Sequence, residues 1–408
     1  ILAVVGAVAV LAAGAFAVVR ITGNDDDGGA ASPEEVANGF VTALENEDVL
    51  GLIDLLLPGE RETFREPLID MVDHLRRLEV LSDDASLSGI AGLDIVVDDV
   101  EIDVEETNVE DISNVIIDAT VSVSVDGDAV PIGDLLLDEA FGGDRPDLDA
   151  DPESADVEDL RFTTVQRDGR WYLSGFYTAA EYARDGTGED VPDEGVRLRG
   201  GESPEDALDV MFGAISDLDI EGVIGALDPS EAEALQRYAP LFLDSFRDLD
   251  EELGFEWEIS DVEYDVRGSG SRRTVGITAL SFQYFDQYSF DQVDVRLEDG
   301  CIRGEFNGED IDICADDLGD LEQQMEDELG SDAEPAMDLI ETFTEAFDDY
   351  EAPGIVVHEV DGQWYVSPIR TVFDALNGVL AALDRDELEA IVRDGDAFVE
   401  FLFDSALG

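Results

Sequence analysis

The sequence contains no lysine. Its positive charge rests on 22 arginines, set against 102 acidic side chains over 408 residues, for a formal net charge of -80. A chain this acidic repels phosphate backbones and anionic lipid headgroups, which excludes nucleic acid as a partner. Histidine is nearly absent too, with only His74 and His358. Neither His-x-x-Glu-His nor Cys-x-x-Cys spacing occurs, so the sequence offers no zinc site. The Walker lysine motif, the Rossmann glycine fingerprint and the Gly-x-Ser-x-Gly elbow are also missing. No catalytic, cofactor-binding or metal-ligating residue is therefore assigned, and no cofactor is expected. The acidity reads as a solvated surface suited to a salt-rich medium, where screening relieves self-repulsion. Regular apolar patterning argues against disorder.

One long apolar run is present, ILAVVGAVAVLAAGAFAVVR, with nineteen uncharged residues before Arg20. That length suits a bilayer crossing. Residues 1–20 are expected to be an uncleaved transmembrane anchor, with a cleaved export signal as the alternative, since Ala15-Phe16-Ala17 imitates a cleavage site. The chain does not open on Met and is expected to continue from a longer protein. Either reading places the bulk of it outside the cytoplasm, at the cell membrane. Residues 21–31, which include TGNDDDGGAA, read as a flexible acidic linker.

The segment DGRWYLSG at 168–175 returns as DGQWYVSP at 361–368. SPEEVANGF at Ser32 is likewise answered by SPEDALDVMF at Ser203. In both, Ser is the expected N-cap, followed by Pro33 or Pro204 at the first helical position and by Glu35 or Asp206 three residues past the cap. Asp48 corresponds to Asp219, Gly51 to Gly222 and Pro58 to Pro229, all 171 residues apart. A constant offset over several features signals internal duplication.

Each copy continues in the same way. Helices are expected from Glu60 to Leu78 and from Ser230 to Leu253. Period-two alternation follows, through Val100, Ile102 and Val104 and then Ala119 to Val125 in the first copy. In the second it runs through Phe255 to Val266, Val275 to Ala279 and Val293 to Leu297. Such patterning predicts antiparallel sheet with one buried face. Asp168-Gly169 and Asp361-Gly362 are two-residue hairpin turns. Phe162, Thr164, Trp171 and Leu173 then share one face, as do Ile355, Val357, Trp364 and Val366, and the tryptophans become core plugs. Tyr172 and Tyr365 follow them as further markers of the repeat.

Two helices, a short second helix ending in Pro and a late Asp-Gly-x-Trp-Tyr hairpin resemble the nuclear-transport-factor-2-like superfamily, in its small exported or membrane-anchored bacterial form. The resemblance implies an α+β fold: two tandem domains, each of helices with a curved antiparallel sheet forming a cone, after an N-terminal transmembrane helix. The expected boundaries are 32–190 and 203–372, joined by a linker at 191–202 and followed by a C-terminal helical pair at 373–408. It also implies a cavity in each cone. The function expected is non-catalytic binding of a small apolar ligand or an envelope partner. The alternatives are an isomerase- or cyclase-like enzyme using the second cavity, and a purely structural interaction module.

His74 is expected on a helix surface or interface, and His358 pairs across its hairpin with Tyr365 where the first copy has Val165 and Tyr172. Asp147, Asp149, Asp151, Glu153 and Glu158 fall at calcium-loop positions, but Pro152 stands where the loop needs Gly. Arg272 and Arg273 follow a Gly-Ser-Gly-Ser hairpin connection and are read as receiving a carboxylate or, in preference, as holding a neighbouring acidic surface. VFDALNGVLAAL and ELEAIVRDGDAFVEFLFDSAL read as amphipathic helices.

Cys301 and Cys314 are the only cysteines. Asn307-Gly308 lies midway between them and is a type I′ turn signal. Counting outward from that turn sets Phe306 opposite Glu309 and Cys301 opposite Cys314, at a non-hydrogen-bonded pair close enough to bridge. A disulfide is expected, consistent with export.

Overall fold

A computed structural model describes residues 28–246, 255–286, 292–298, 301–314, 342 and 353–395. The anchor expected at residues 1–20 lies outside them. No described helix is long and apolar enough to cross a membrane.

Helix α1 (Pro33–Leu44) starts at Ser32, whose hydroxyl accepts the Glu35 backbone N–H, and Pro33 sits where no donor is needed. The Glu35 carboxylate reaches back to the Ala31 N–H at 2.9 Å. Asp48 caps α2 (Val49–Ile53) by accepting from the Gly51 N–H. Helix α3 (Pro58–Arg77) ends on His74, Arg76 and Arg77, basic groups at the negative end of the helix dipole. Then come β1 (Leu93–Glu106), β2 (Ile112–Val125), α4 (Asp134–Phe141), β3 (Ala150–Arg167), β4 (Arg170–Ser174) and α5 (Gly175–Asp185).

The second copy repeats this opening. Ser203 caps α6 (Pro204–Ser216) on the Asp206 N–H, and Asp219 caps α7 (Ile220–Gly225) on the Gly222 N–H. Helix α8 (Pro229–Tyr238) is half the length of α3 and passes into short 3-10 turns at Ala239–Leu241 and Leu243–Phe246. The helix expected to reach Leu253 stops because Pro240 has no N–H to continue it. Strands β5 (Phe255–Arg267), β6 (Arg272–Asp286), β7 (Gln292–Glu298), β8 (Cys301–Phe306), β9 (Glu309–Cys314), β10 (Ile355–Val360) and β11 (Gln363–Val366) follow, then α9 (Pro368–Ala382). The expected helix from ELEAIV is helical over 385–395, and its remainder lies outside the described residues.

Two compact units result: residues up to 195 with 229–241, and residues 196–228 with those from 242 onward. In the first, β1-β2-β3-β4 is an antiparallel meander in that order. Val36 and Ala37 of α1 and Leu52 and Ile53 of α2 bury against Val115, Ile117, Phe162 and Leu173 on one face. Each of these valine, leucine, isoleucine and phenylalanine side chains contributes about 1.5–3 kcal/mol on leaving water. On the opposite face the Thr163 N–H donates to the Thr178 hydroxyl of α5 at 2.8 Å, and Val165 and Tyr172 are buried. Helix α8 packs on α3 and α5 within this unit.

In the second unit the order is β11-β10-β6-β7-β8-β9, with β5 on the other side of β6. Ala207, Leu208 and Met211 of α6 pack on Val275, Val357, Trp364 and Val366.

These sheets correct the expected architecture. The class is α+β, but both sheets are open and uncurled, so neither unit is a cone and the nuclear-transport-factor-2-like resemblance does not hold. In the first unit β1 and β4 are edges that do not pair, and helices cover both faces of the β3–β4 hairpin instead of lining one concave side. Alternation specifies which side chains face inward; it carries no information about how far a sheet bends.

Equal offsets in sequence recur as equal hydrogen bonds. Ala30 and Trp171 exchange backbone bonds at 2.8 Å, and Gly201 and Trp364 do so at 2.8 and 2.9 Å. The Leu57 N–H donates to the Leu173 carbonyl at 2.9 Å, and the Asp228 N–H to that of Val366 at 2.7 Å. The Val356 N–H meets the Thr371 hydroxyl at 2.8 Å, as Thr163 meets Thr178.

The starts of α3 and α8 approach closely. A Cβ on Gly59 would lie 2.7 Å from the Ser230 carbonyl oxygen and 2.9 Å from its Cα, both backbone atoms. Gly59→Ala must therefore push the helices apart and is expected to lose about 1–3 kcal/mol in a urea titration. Gly213→Ala in α6, where nothing lies within 4 Å, should instead gain up to about 1 kcal/mol.

Candidate functional site

The repeated hairpin turns have positive φ at both central positions, 53° and 79° for Asp168 and Gly169 and 52° and 80° for Asp361 and Gly362. This is the type I′ geometry that their sequence calls for. Trp364 is buried in the second core and Trp171 packs against the first. The Arg273 guanidinium lies 5.6 Å from the centre of the Trp364 ring, a cation–π contact. Arg272 stands opposite His358 in the β6–β10 register.

Buried polar groups gather behind these hairpins. In the first unit, the Glu60 carboxylate accepts from the Ser174 hydroxyl and from the Gly175 N–H at 2.9 Å, at the start of α5. Burial pushes its pKa up to about 7; the Ser174 hydroxyl and the N–H groups of Gly175 and Phe176 work against that rise, and Glu233 adds to it. Glu181 is fully buried on α5. It accepts from Asn114 Nδ2 at 2.8 Å, the Tyr238 hydroxyl at 2.6 Å, and Arg184 Nε and Nη2 at 2.8 and 3.0 Å. Burial opposes its charge, but Arg184, Asn114 and Tyr238 outweigh burial and hold the carboxyl below its ordinary value. Burial and this same carboxylate push the Tyr238 hydroxyl upward. Four donors converge on Glu181 and tie β2, α5 and α8 together, which is a structural use of charge.

The second unit has a different cluster. Asp228, fully buried, accepts from Arg370 Nη1 at 2.7 Å and lies 2.9 Å from His358 Nδ1. Arg370 Nη1 also reaches Ser367 Oγ at 3.3 Å. His358 pairs with Tyr365 in the β10–β11 register, as Val165 pairs with Tyr172 in the other hairpin.

The remaining candidates fall elsewhere. His74 is half-buried in the last turn of α3. The acidic run from Asp147 does not wrap a cation: Asp151, Glu153 and Glu158 lie along β3, and the Asp149 carboxylate accepts the Gly127 N–H at 2.9 Å. Among the described residues no group of three or more His, Cys, Asp or Glu is placed to hold a metal.

Cys301 and Cys314 are bonded, with Cα atoms 4.0 Å apart, in the register counted from the turn. Asn307 and Gly308 have φ of 52° and 80°. Arg303 Nε donates to Asp312 at 3.0 Å on the face of the bond. Ile302 and Phe306 point to the other face and are 43% and 47% exposed.

Glu60, Glu181, Asp228 and Arg370 were missed in sequence. The repeat held a signal for three of them, because Asp228 stands where the first copy has Leu57, Arg370 where it has Tyr177, and Glu60 recurs as the buried Glu231.

Fold and clusters together define a tandem α+β protein whose copies share a backbone and differ in buried polar chemistry. Comparison with protein-family models, curated proteins and solved structures finds no match.

Proposed function

We propose that the chain is a non-catalytic binding module held at the cell membrane through residues 1–20, with its bulk outside the cytoplasm, where it engages an envelope protein. The single observation that supports this most is the β8–β9 hairpin. It is stapled by a disulfide, the mark of an oxidising compartment, and it presents Ile302 and Phe306 to solvent. A rigid hairpin loses little entropy on docking, and two exposed apolar side chains, with the exposed Glu309 paired to Phe306 on the same face, offer an anchor with an acidic edge. An apolar small-molecule ligand has no such support, because the cone expected to contain it is absent.

The test is a photo-crosslinking residue at position 306 in the intact cell envelope. A discrete adduct with one envelope protein is expected, lost in Ile302→Ser and absent from a probe at the exposed turn position 188. Equal labelling from both positions would refute the reading. The staple has its own expected effect. Cys301→Ser with Cys314→Ser should weaken the hairpin by about 2–3 kcal/mol, seen as faster hydrogen exchange confined to β8 and β9.

A further inference from the structure

Three positions behind the hairpins differ between the copies as a set. The first copy has Leu57, Val165 and Tyr177; the second has Asp228, His358 and Arg370. The correspondence is structural. Leu57 and Asp228 make the same backbone bond to β4 and β11, Val165 and His358 face equivalent tyrosines, and Tyr177 and Arg370 each follow a Ser by three residues. All three first-copy residues are buried. The shared backbone therefore accommodates an uncharged trio, in which the Tyr177 hydroxyl is hydrogen-bonded to Arg167, and a buried ion pair is on general grounds no more stabilising than well-packed uncharged groups. Stability does not explain the change.

In each copy a short segment, ending at Leu57 or Asp228, must dock beside its own hairpin. The main-chain bonds are alike in the two dockings, with Leu57 N–H to Leu173 and Asp228 N–H to Val366, so the backbone cannot tell one hairpin from the other. We propose that Asp228, His358 and Arg370 form a docking label that keeps each copy's segment on its own hairpin. Docked on the first hairpin, Asp228 would bury a carboxylate beside Val165 and Tyr177, away from His358 and Arg370. Docked on the second, Leu57 would set an isobutyl group against a buried guanidinium and a half-buried imidazole. Both errors are penalised by desolvated charge, the means by which a polar buried group sets pairing. The position is apt, since Asp228 is the last residue of the second unit before the chain passes into α8, which belongs to the first.

The test uses the whole chain refolded from urea with reporter substitutions Leu56→Cys and Val366→Cys. Correct docking pairs Leu56 with Leu173 and Leu227 with Val366, so a bond between positions 56 and 366 records the wrong one. Peptide mapping by mass should find little of it with the native trio. In the background Asp228→Leu, His358→Val, Arg370→Tyr it should rise by roughly tenfold or more, the ratio that loss of about 1.4 kcal/mol of discrimination gives, accompanied by exchanged dimers in light scattering. A second background, with Arg370→Met in place of Arg370→Tyr, guards against a steric failure of the tyrosine. No rise in a folded variant overturns the proposal, as does an abundant 56–366 bond with the native trio. Failure of both backgrounds to fold would show that the trio is a folding requirement, and overturns it equally.

Discussion

Dilution from about 2 M to about 0.01 M salt should lower the melting temperature by on the order of 10–20 °C. The outer side of β1 shows why. Asp94, Asp98, Glu101, Asp103 and Glu105 are all exposed along one edge strand. Alternate residues on a strand stand about 7 Å apart, where two unit charges in water repel by about 0.6 kcal/mol. A Debye length of about 30 Å at 0.01 M leaves most of that repulsion in place, and about 3 Å at 1 M removes nearly all of it. With 80 uncompensated negative charges, many such terms add to several kcal/mol against the compact state. Opposite charges do little to offset them. The exposed pairs, such as Arg303 with Asp312, are of a kind worth about 0–1 kcal/mol each. Calorimetry across a sodium chloride series, with a neutral osmolyte as control, checks this. A melting temperature independent of salt would show that the carboxylates are neutralised by some other means.

What could be read in the sequence was whatever depends on local rules. Caps, hairpin turns and strand register follow from a few neighbouring residues. Ser32 and Ser203 cap their helices, and the Asn307-Gly308 turn sets the register that brings Cys301 to Cys314. The cone failed because curvature is a property of the whole sheet. A family likeness resting on generic caps and turns had nothing in it that specified bending. Helix α8 illustrates a second limit: its amphipathic pattern resembles that of α3, yet its place with residues 28–195 depends on contacts far along the chain. The buried carboxylates show a third. In a sequence with 102 acidic residues, Glu60 and Glu181 carry no local mark separating them from solvated neighbours. The repeat supplied a comparison for three of the buried groups: uncharged Leu57 and Tyr177 stand at the positions of Asp228 and Arg370, and Glu60 recurs as the buried Glu231.

The largest single-residue effect is expected at Glu60. Its carboxyl titrates at about 7 in the folded protein, chiefly because it is buried, against an ordinary value of 4.5. Between those two values the folded chain holds a proton that the unfolded chain has released. Stability is therefore fully present below about pH 4.5 and is lost as pH rises to about 7, by about 3 kcal/mol in all. Glu60→Gln removes the titration. The amide can still accept the Gly175 N–H through its oxygen and donate to the Ser174 hydroxyl through its nitrogen, so it imitates the protonated acid. Wild type and variant should match near pH 4.5, and the variant should be the more stable by about 3 kcal/mol at about pH 8. Urea titrations at fixed high salt keep the titration of the exposed carboxylates from obscuring the difference. The sign is the discriminating feature. A salt-bridged or solvent-capped carboxylate would give the reverse, with Gln losing stability as pH rises. Parallel curves for the two proteins would mean that Glu60 titrates alike folded and unfolded, and that its hydrogen bonds to Ser174 and Gly175 fully offset its burial.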